Sequence, residues 1–485
     1  MKGFEKSGLK GNYLLPLTKE ELDRIHSASL RILEKTGVLV YEPEAVTFFR
    51  NAGCEIQEDR IVHIPSHLIK ESIDKAPSKV TLCGRDRKFD FTLGAGQFYG
   101  GICGTAPYII DAESDERREA TRQDAANLTR LIDALDNLHC ALTPQVVPND
   151  VPKEDIDIHA AETALLNTEK HVGPITCFSE RHIEDVIQMA EVVAGGEEEL
   201  RKRPIISGFA EPVSPLKHSI PQTRQLIAYA KRGIPIQISN HPITGFTSPI
   251  TVAGTLAQSN AEVLSYLVLA ELINPRTPVV LSPYGTAPNM KTGRHLPASV
   301  EASLLQCACI QMVRHYGLPA LAWSGVNAKT PDAQMGIEDT FIILPAALAG
   351  ADLVLSGLID SDESMSYSMF VIENEIFAWV GRFLGGIEVD ESRIALDLID
   401  EVGPGGYFLS KKHTAEFFNS EHVTPRIFDR NSWKDWKKAG SKSLYKNANQ
   451  EAEKILKTHE PRPLDKQVTS ELNEVIKRAQ KRRGC

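Results

Sequence analysis

The chain has 485 residues, 42% hydrophobic and 24% charged, with a formal net charge of −10 at pH 7. That balance excludes a general nucleic-acid surface, which needs a positive field, while the length allows a large core without disulfide or metal staples. Eight cysteines without a CxxC pair, a start with no apolar signal core and apolar runs shorter than the ~18 residues of a membrane span lead to the expectation of a reducing cytoplasm with thiols as core filler.

Thr18 with Glu21 three residues on makes a capping box, and the apolar spacing after it predicts a helix over residues 17–36. Two more helices are predicted over 43–52 and 65–75, followed by strand-like runs at 79–83, 88–92, 97–99 and 108–111 with glycine-rich breaks. Residues 1–120 therefore read as an N-terminal helical and β-rich extension packed on a larger domain. From residue 121 short apolar runs alternate with amphipathic windows. The runs are Cys140–Thr143, Gly173–Phe178, Pro204–Phe209, Ile234–Ile238, Pro278–Leu281, Leu318–Trp323, Asp352–Ser356 and Gly406–Leu409. The helical windows between them include Glu180–Ala194, Gln222–Lys231, Val252–Ile273, Ala298–Tyr316 and Ala333–Ala349. Nearly continuous apolar strands alternating with helices signal a parallel sheet covered by helices. Some eight units predict an α/β fold, a (β/α)8 TIM barrel over 121–412. No GxGxxG follows the first of these strands and no GxxxxGK[ST] occurs, which removes support from nucleotide-binding folds. Residues 413–485 are expected to be C-terminal helices that wrap the barrel or pack on a partner subunit, which leaves a homo-oligomer open. The closing stretch Lys477–Arg483 is basic and suits a helix C-terminus.

In such barrels chemistry sits just past the strands. The loops there supply Phe209 and Glu211, Asn240 and His241, Phe246, Tyr284, Trp323, Asn327 and Lys329, and Asp360, which form the expected substrate-binding set. Aromatic faces among uncharged polar residues suit a cation that cannot donate a hydrogen bond, each face contributing roughly 0.5–2 kcal/mol. The plainer alternative is that these rings cap the barrel core. No catalytic residue is assigned. Zinc wants three or four converging nitrogen or sulfur ligands. Cys307 and Cys309 stand about 200° apart on a helix and cannot ligate from one face, and His139 lies at the wrong end of its strand, so no tightly bound metal is expected. The absence of GxSxG removes support from nucleophilic hydrolysis.

Several stretches resemble the trimethylamine methyltransferase family. They are Tyr108–Asp111 with Arg117, Arg118, Thr121 and Asp124, then Leu131–Leu135, Asn167–His171, Glu211–Leu216, Thr247–Gly254 and Asn327–Gln334. The resemblance implies a barrel whose mouth docks a corrinoid-binding protein. Archaeal members carry pyrrolysine in a loop after a late strand, whereas the loop Gly325–Lys329 here holds only standard residues. The chain is thus similar to the bacterial branch lacking pyrrolysine. The resemblance implies methyl transfer from a quaternary amine to Co(I) of a corrinoid (cobalamin) presented by a partner protein. Glycine betaine, giving dimethylglycine, is the expected substrate, with His241, Asn240, Asn327 or Lys329 as donors to its carboxylate. The alternatives are a zinc-dependent barrel methyltransferase acting on a thiol or alcohol, and a non-catalytic barrel that senses betaine.

Overall fold

The computed structural model describes residues 4–5, 14–111 and 116–482; Arg483 and Cys485 lie outside them. Eight parallel strands form the centre: β1 (Gln97–Ile102), β2 (Leu138–Thr143), β3 (His171–Ile175), β4 (Ile206–Ala210), β5 (Ile236–Ser239), β6 (Val279–Ser282), β7 (Leu321–Gly325) and β8 (Leu353–Leu358). Each pairs with the next, β8 pairs back onto β1, and the β6–β7 seam closes through a bridge between Leu281 and Ala320. The ring is a closed (β/α)8 barrel. Its strands are almost entirely buried because helices cover one face and packed side chains fill the other. A helix follows every strand: Arg122–Ala134, Ile156–Asn167, Ile183–Ala194, Ile220–Arg232, Val252–Ile273, Val300–His315, Ala333–Ala349 and Tyr367–Leu384.

One strand assignment needs correction. The run Gly406–Leu409 forms no strand, and its Tyr407 and Leu409 are largely exposed. Its place in the ring is taken by Gln97–Ile102, which the sequence pattern assigns to the N-terminal extension. The misassignment has a physical cause. Gly100 and Gly101 depress strand propensity, yet the barrel requires both: a Cβ would come within 2.6 Å of Phe377 at one and of Leu355 at the other.

The capping box at Thr18 and Glu21 is present and opens the helix Lys19–Arg31. This helix, Pro43–Asn51 and Ser66–Lys75 all pack against Val252–Ile273. That cover explains why the last helix is buried nearly all round rather than along one stripe. Helices Leu444–Thr458 and Lys466–Lys481 pack on the barrel helices Tyr367–Leu384 and Ile183–Ala194 respectively, so the tail wraps its own barrel. Over the C-terminal mouth, the hairpin Tyr108–Ile110 and Arg117–Glu119 joins Ser364–Ser366 in a small sheet. Arg118 pins it by donating to both oxygens of Asp124, at 2.7 and 2.9 Å. No helix among the described residues is long and apolar enough to cross a membrane.

Candidate functional site

The strand ends converge on a cavity of about 520 Å³, within the usual size of a small-molecule site. Phe209 closes β4 and Glu211 follows it; Ser239 ends β5 with Asn240 and His241 beyond; Tyr284 follows β6, Trp323 lies in β7, and Asp362 follows β8. Among the described residues the lining contains two carboxylates, Glu211 and Asp362, and no lysine or arginine.

The aromatic wall is locked. Phe209 and Trp323 meet edge to face, with centroids 5.7 Å apart and planes at 84°, the arrangement ring quadrupoles favour. The indole Nε1–H of Trp323 donates to Ser239 Oγ at 2.9 Å, and Ser239 in turn donates to the Ser282 carbonyl at 3.0 Å. A polar handle satisfied in this way leaves the ring itself with nothing to do but present its face and fill space. Tyr284 packs against the His241 ring at 5.0 Å.

Glu211 is held by its backbone, whose N–H donates to Gln222 Oε1 at 3.2 Å. Burial, reinforced by the charge of Glu262, pushes its carboxyl up to about 7. Glu262 behaves differently. Burial raises it as well, but Ser214, the Leu216 N–H, Asn240 and Gln258 all donate to its oxygens at 2.5–2.9 Å. It is a structural acid. Asn240 is equally committed: its amide donates to Glu262 and the Ser259 carbonyl while its oxygen accepts from Ser259 and the Tyr284 N–H. It lines the cavity as a brace for the β5 and β6 loops. Burial, and then His295, hold His241 down to about 3, so its imidazole is neutral at physiological pH.

Of the expected site residues, Phe209, Glu211, Asn240, His241, Tyr284 and Trp323 come together here. Four do not. Phe246 sits on a turn beyond β5 and is 46% exposed, because its loop carries it past the rim. Asn327 donates to Ser361 Oγ at 2.8 Å and accepts from the Ala298 N–H at 3.3 Å, bracing two loops. Lys329 pairs with Asp360 at 2.9 Å, and Arg117 reaches the other Asp360 oxygen at 2.8 Å; this ion-pair cluster lies outside the cavity lining. Sequence reasoning missed His295, Gln222, Cys103 and Thr105 as lining residues and left Asp362 outside the set. His295 belongs to a short hairpin inside the long loop 283–299, and that loop length was the available signal. Cys103 and Thr105 follow β1 and were hidden with it. The cysteines first weighed as zinc ligands are buried thiols; burial pushes Cys307 up to about 12.

A model of the family described as trimethylamine methyltransferase (MTTB) matches residues 9–484. The trimethylamine methyltransferase of Desulfitobacterium hafniense is 34% identical over 480 residues, 98% of this chain and 96% of that protein. The glycine betaine methyltransferase of another strain of that species is 30% identical over 469 residues, covering 95% and 96%. Among solved structures, the monomethylamine methyltransferase of Methanosarcina barkeri aligns with a TM-score of 0.48 and 13% identity, covering 94% of this chain and 98% of that one.

Proposed function

The chain belongs to the trimethylamine methyltransferase family, and from that premise we propose that this methyltransferase takes a methyl group from a quaternary amine and gives it to Co(I) of a corrinoid carried by a partner protein, in the cytoplasm. Glycine betaine is the first substrate to try, since one relative carries that name. The observation that carries the reading is the charge pattern of the cavity: Glu211 and the Phe209–Trp323 pair line it together, with no lysine or arginine among the described residues of the lining. A quaternary nitrogen has no proton to donate, so aromatic faces and a carboxylate must hold it.

The chemistry asks little of acid–base groups. Co(I) supplies the electron pair for the new Co–C bond, and the C–N pair stays on nitrogen, leaving a neutral tertiary amine. Because the substrate is already cationic, no side chain has to protonate the leaving group. The chain's own tasks are to hold the N–methyl axis toward the open mouth and to keep water away. Of the residues expected to meet a betaine carboxylate, Asn327 and Lys329 are outside the lining and the Asn240 amide is spent on the protein. His241 remains.

A binding comparison tests the cation site directly. Calorimetry with glycine betaine and with its carbon isostere 3,3-dimethylbutanoate, which keeps the carboxylate but lacks the cationic centre, is expected to favour the betaine by about 30-fold or more, the equivalent of ~2 kcal/mol. Equal affinity for the two would remove the cation site.

A further inference from the structure

The loop after β8 runs through an unusual backbone. Asp360, Ser361 and Asp362 have φ of 57°, 55° and 71°, three successive non-glycine residues in the left-handed region, which persists only where surrounding structure over-determines it. Its result is that Asp362 turns its carboxylate into the cavity wall. Gly325 leaves the room: a Cβ there would lie 2.2 Å from Asp362 Oδ1. The carboxylate meets two imidazoles. One nitrogen each from His241 and His295 and one oxygen of Asp362 all lie within 4.8 Å of one another.

The spacing suits coordination. His295 Nδ1 is 3.3 Å from His241 Nε2; a tetrahedron with metal–nitrogen bonds of ~2.0–2.1 Å has an edge of about 3.4 Å. The far nitrogen of His295, Nε2, donates to the Ser361 carbonyl at 3.0 Å, the kind of outer bond that fixes the tautomer and orientation of a ligating imidazole. Asp362 Oδ2 lies 3.4 Å from His295 Nε2, the outer nitrogen of that ring, so the carboxylate reaches the trio at the wider spacing of up to 4.8 Å. The three side chains come from three loops, those after β5, β6 and β8, so the trio depends on barrel closure and on no local motif.

We propose that His241, His295 and Asp362 form a three-ligand site for a divalent metal at the wall of the cavity. Two imidazoles and one carboxylate form a donor set suited to zinc, and three protein ligands leave a fourth position for an oxygen ligand. Metal binding here is tested without the methyl-transfer reading, but it engages His241, the imidazole left above to meet a betaine carboxylate. The trio contains neither the cysteines nor His139, the residues weighed in the expectation of no bound metal.

The test uses the full chain, freed of metal by chelation and titrated with Co²⁺, followed by visible absorption and then by competition with Zn²⁺. One equivalent of Co²⁺ is expected to bind with the strong visible bands of a four-coordinate site and to be displaced by one equivalent of Zn²⁺. His295→Ala and Asp362→Asn are expected to weaken binding by more than about 100-fold, beyond what losing an outer-sphere partner costs. His67→Gln, at an exposed position on the helix Ser66–Lys75, leaves binding unchanged. Folding of each variant is checked by circular dichroism. Should a variant fail to fold, the unmodified chain still decides: absence of saturable one-to-one binding overturns the site. Full-strength binding in folded His295→Ala or Asp362→Asn overturns it equally.

Discussion

Replacing Trp323 with leucine is expected to weaken quaternary-amine binding by about 30-fold, because a desolvated cation–π contact contributes ~2 kcal/mol. The ring is almost fully buried and meets Phe209 in an edge-to-face pair with centroids 5.7 Å apart. Leucine therefore removes the proposed cation-facing surface and the ring that packs against Phe209. It also removes the Nε1–H that donates to the Ser239 hydroxyl, which keeps only its own bond to the Ser282 carbonyl, so some stability goes as well. Trp323→Phe separates the two effects. Phenylalanine keeps a ring but loses the Nε1–Ser239 bond, and is expected to recover most of the affinity with little of the lost thermal stability. Calorimetric affinity set beside the unfolding midpoint for both variants checks this. If binding survives in Trp323→Leu, the indole caps the core and does not hold the substrate.

Glu211→Gln is expected to cost more, on the order of 100-fold. At an effective dielectric near 20, opposite charges ~4 Å apart attract by about 4 kcal/mol, and the desolvation already incurred by the carboxylate offsets part of that. The pH dependence is the sharper signature. Burial, then Glu262, hold the carboxyl at about 7 in the free protein, so below that pH a proton must leave before the cation is held. Apparent affinity is expected to fall about tenfold for each unit of pH below 7 and to level off above it, with the glutamine variant flat throughout. Stability runs the opposite way. Because the folded carboxyl holds its proton more tightly than the unfolded one, its contribution is full below the ordinary carboxylate range and is lost as pH rises through about 7. The glutamine variant should then unfold at a higher temperature than the parent in mildly alkaline buffer. Wild-type binding that ignores pH between 5 and 8 would take Glu211 out of the site.

The barrel was legible because its strands are apolar runs of the right length and its helices carry amphipathic spacing. Val252–Ile273 and Ala333–Ala349 coincide with observed helices residue for residue. What failed was the strand whose packing demands glycine. Tyr99-Gly100-Gly101-Ile102 looks weak as sequence and is obligatory in three dimensions, since Phe377 and Leu355 occupy the space of the missing side chains. The cavity residues that were found, such as Trp323 and Tyr284, lie in or just past a recognisable strand, where the fold rule places chemistry. Those missed lie on excursions that no strand-end rule reaches. His295 arrives on a hairpin, and Asp362 is turned inward by three successive left-handed residues. Asn327, Lys329 and Asp360 stand near the same loops, but other protein groups had already claimed their polar atoms. Hydrogen-bond commitment of that kind has no signature in a single sequence.

The most direct measurement is methyl transfer itself: the purified chain with Co(I) cobalamin, given glycine betaine, other betaines, carnitine and trimethylamine in parallel, and followed by absorption for methyl-Co(III). Methyl-Co(III) is expected with a quaternary amine and not with trimethylamine, in an amount matched by the tertiary amine released. Binding of a betaine without methyl-Co(III) from any of these amines would contradict the methyltransferase reading and leave a barrel that senses its ligand without demethylating it.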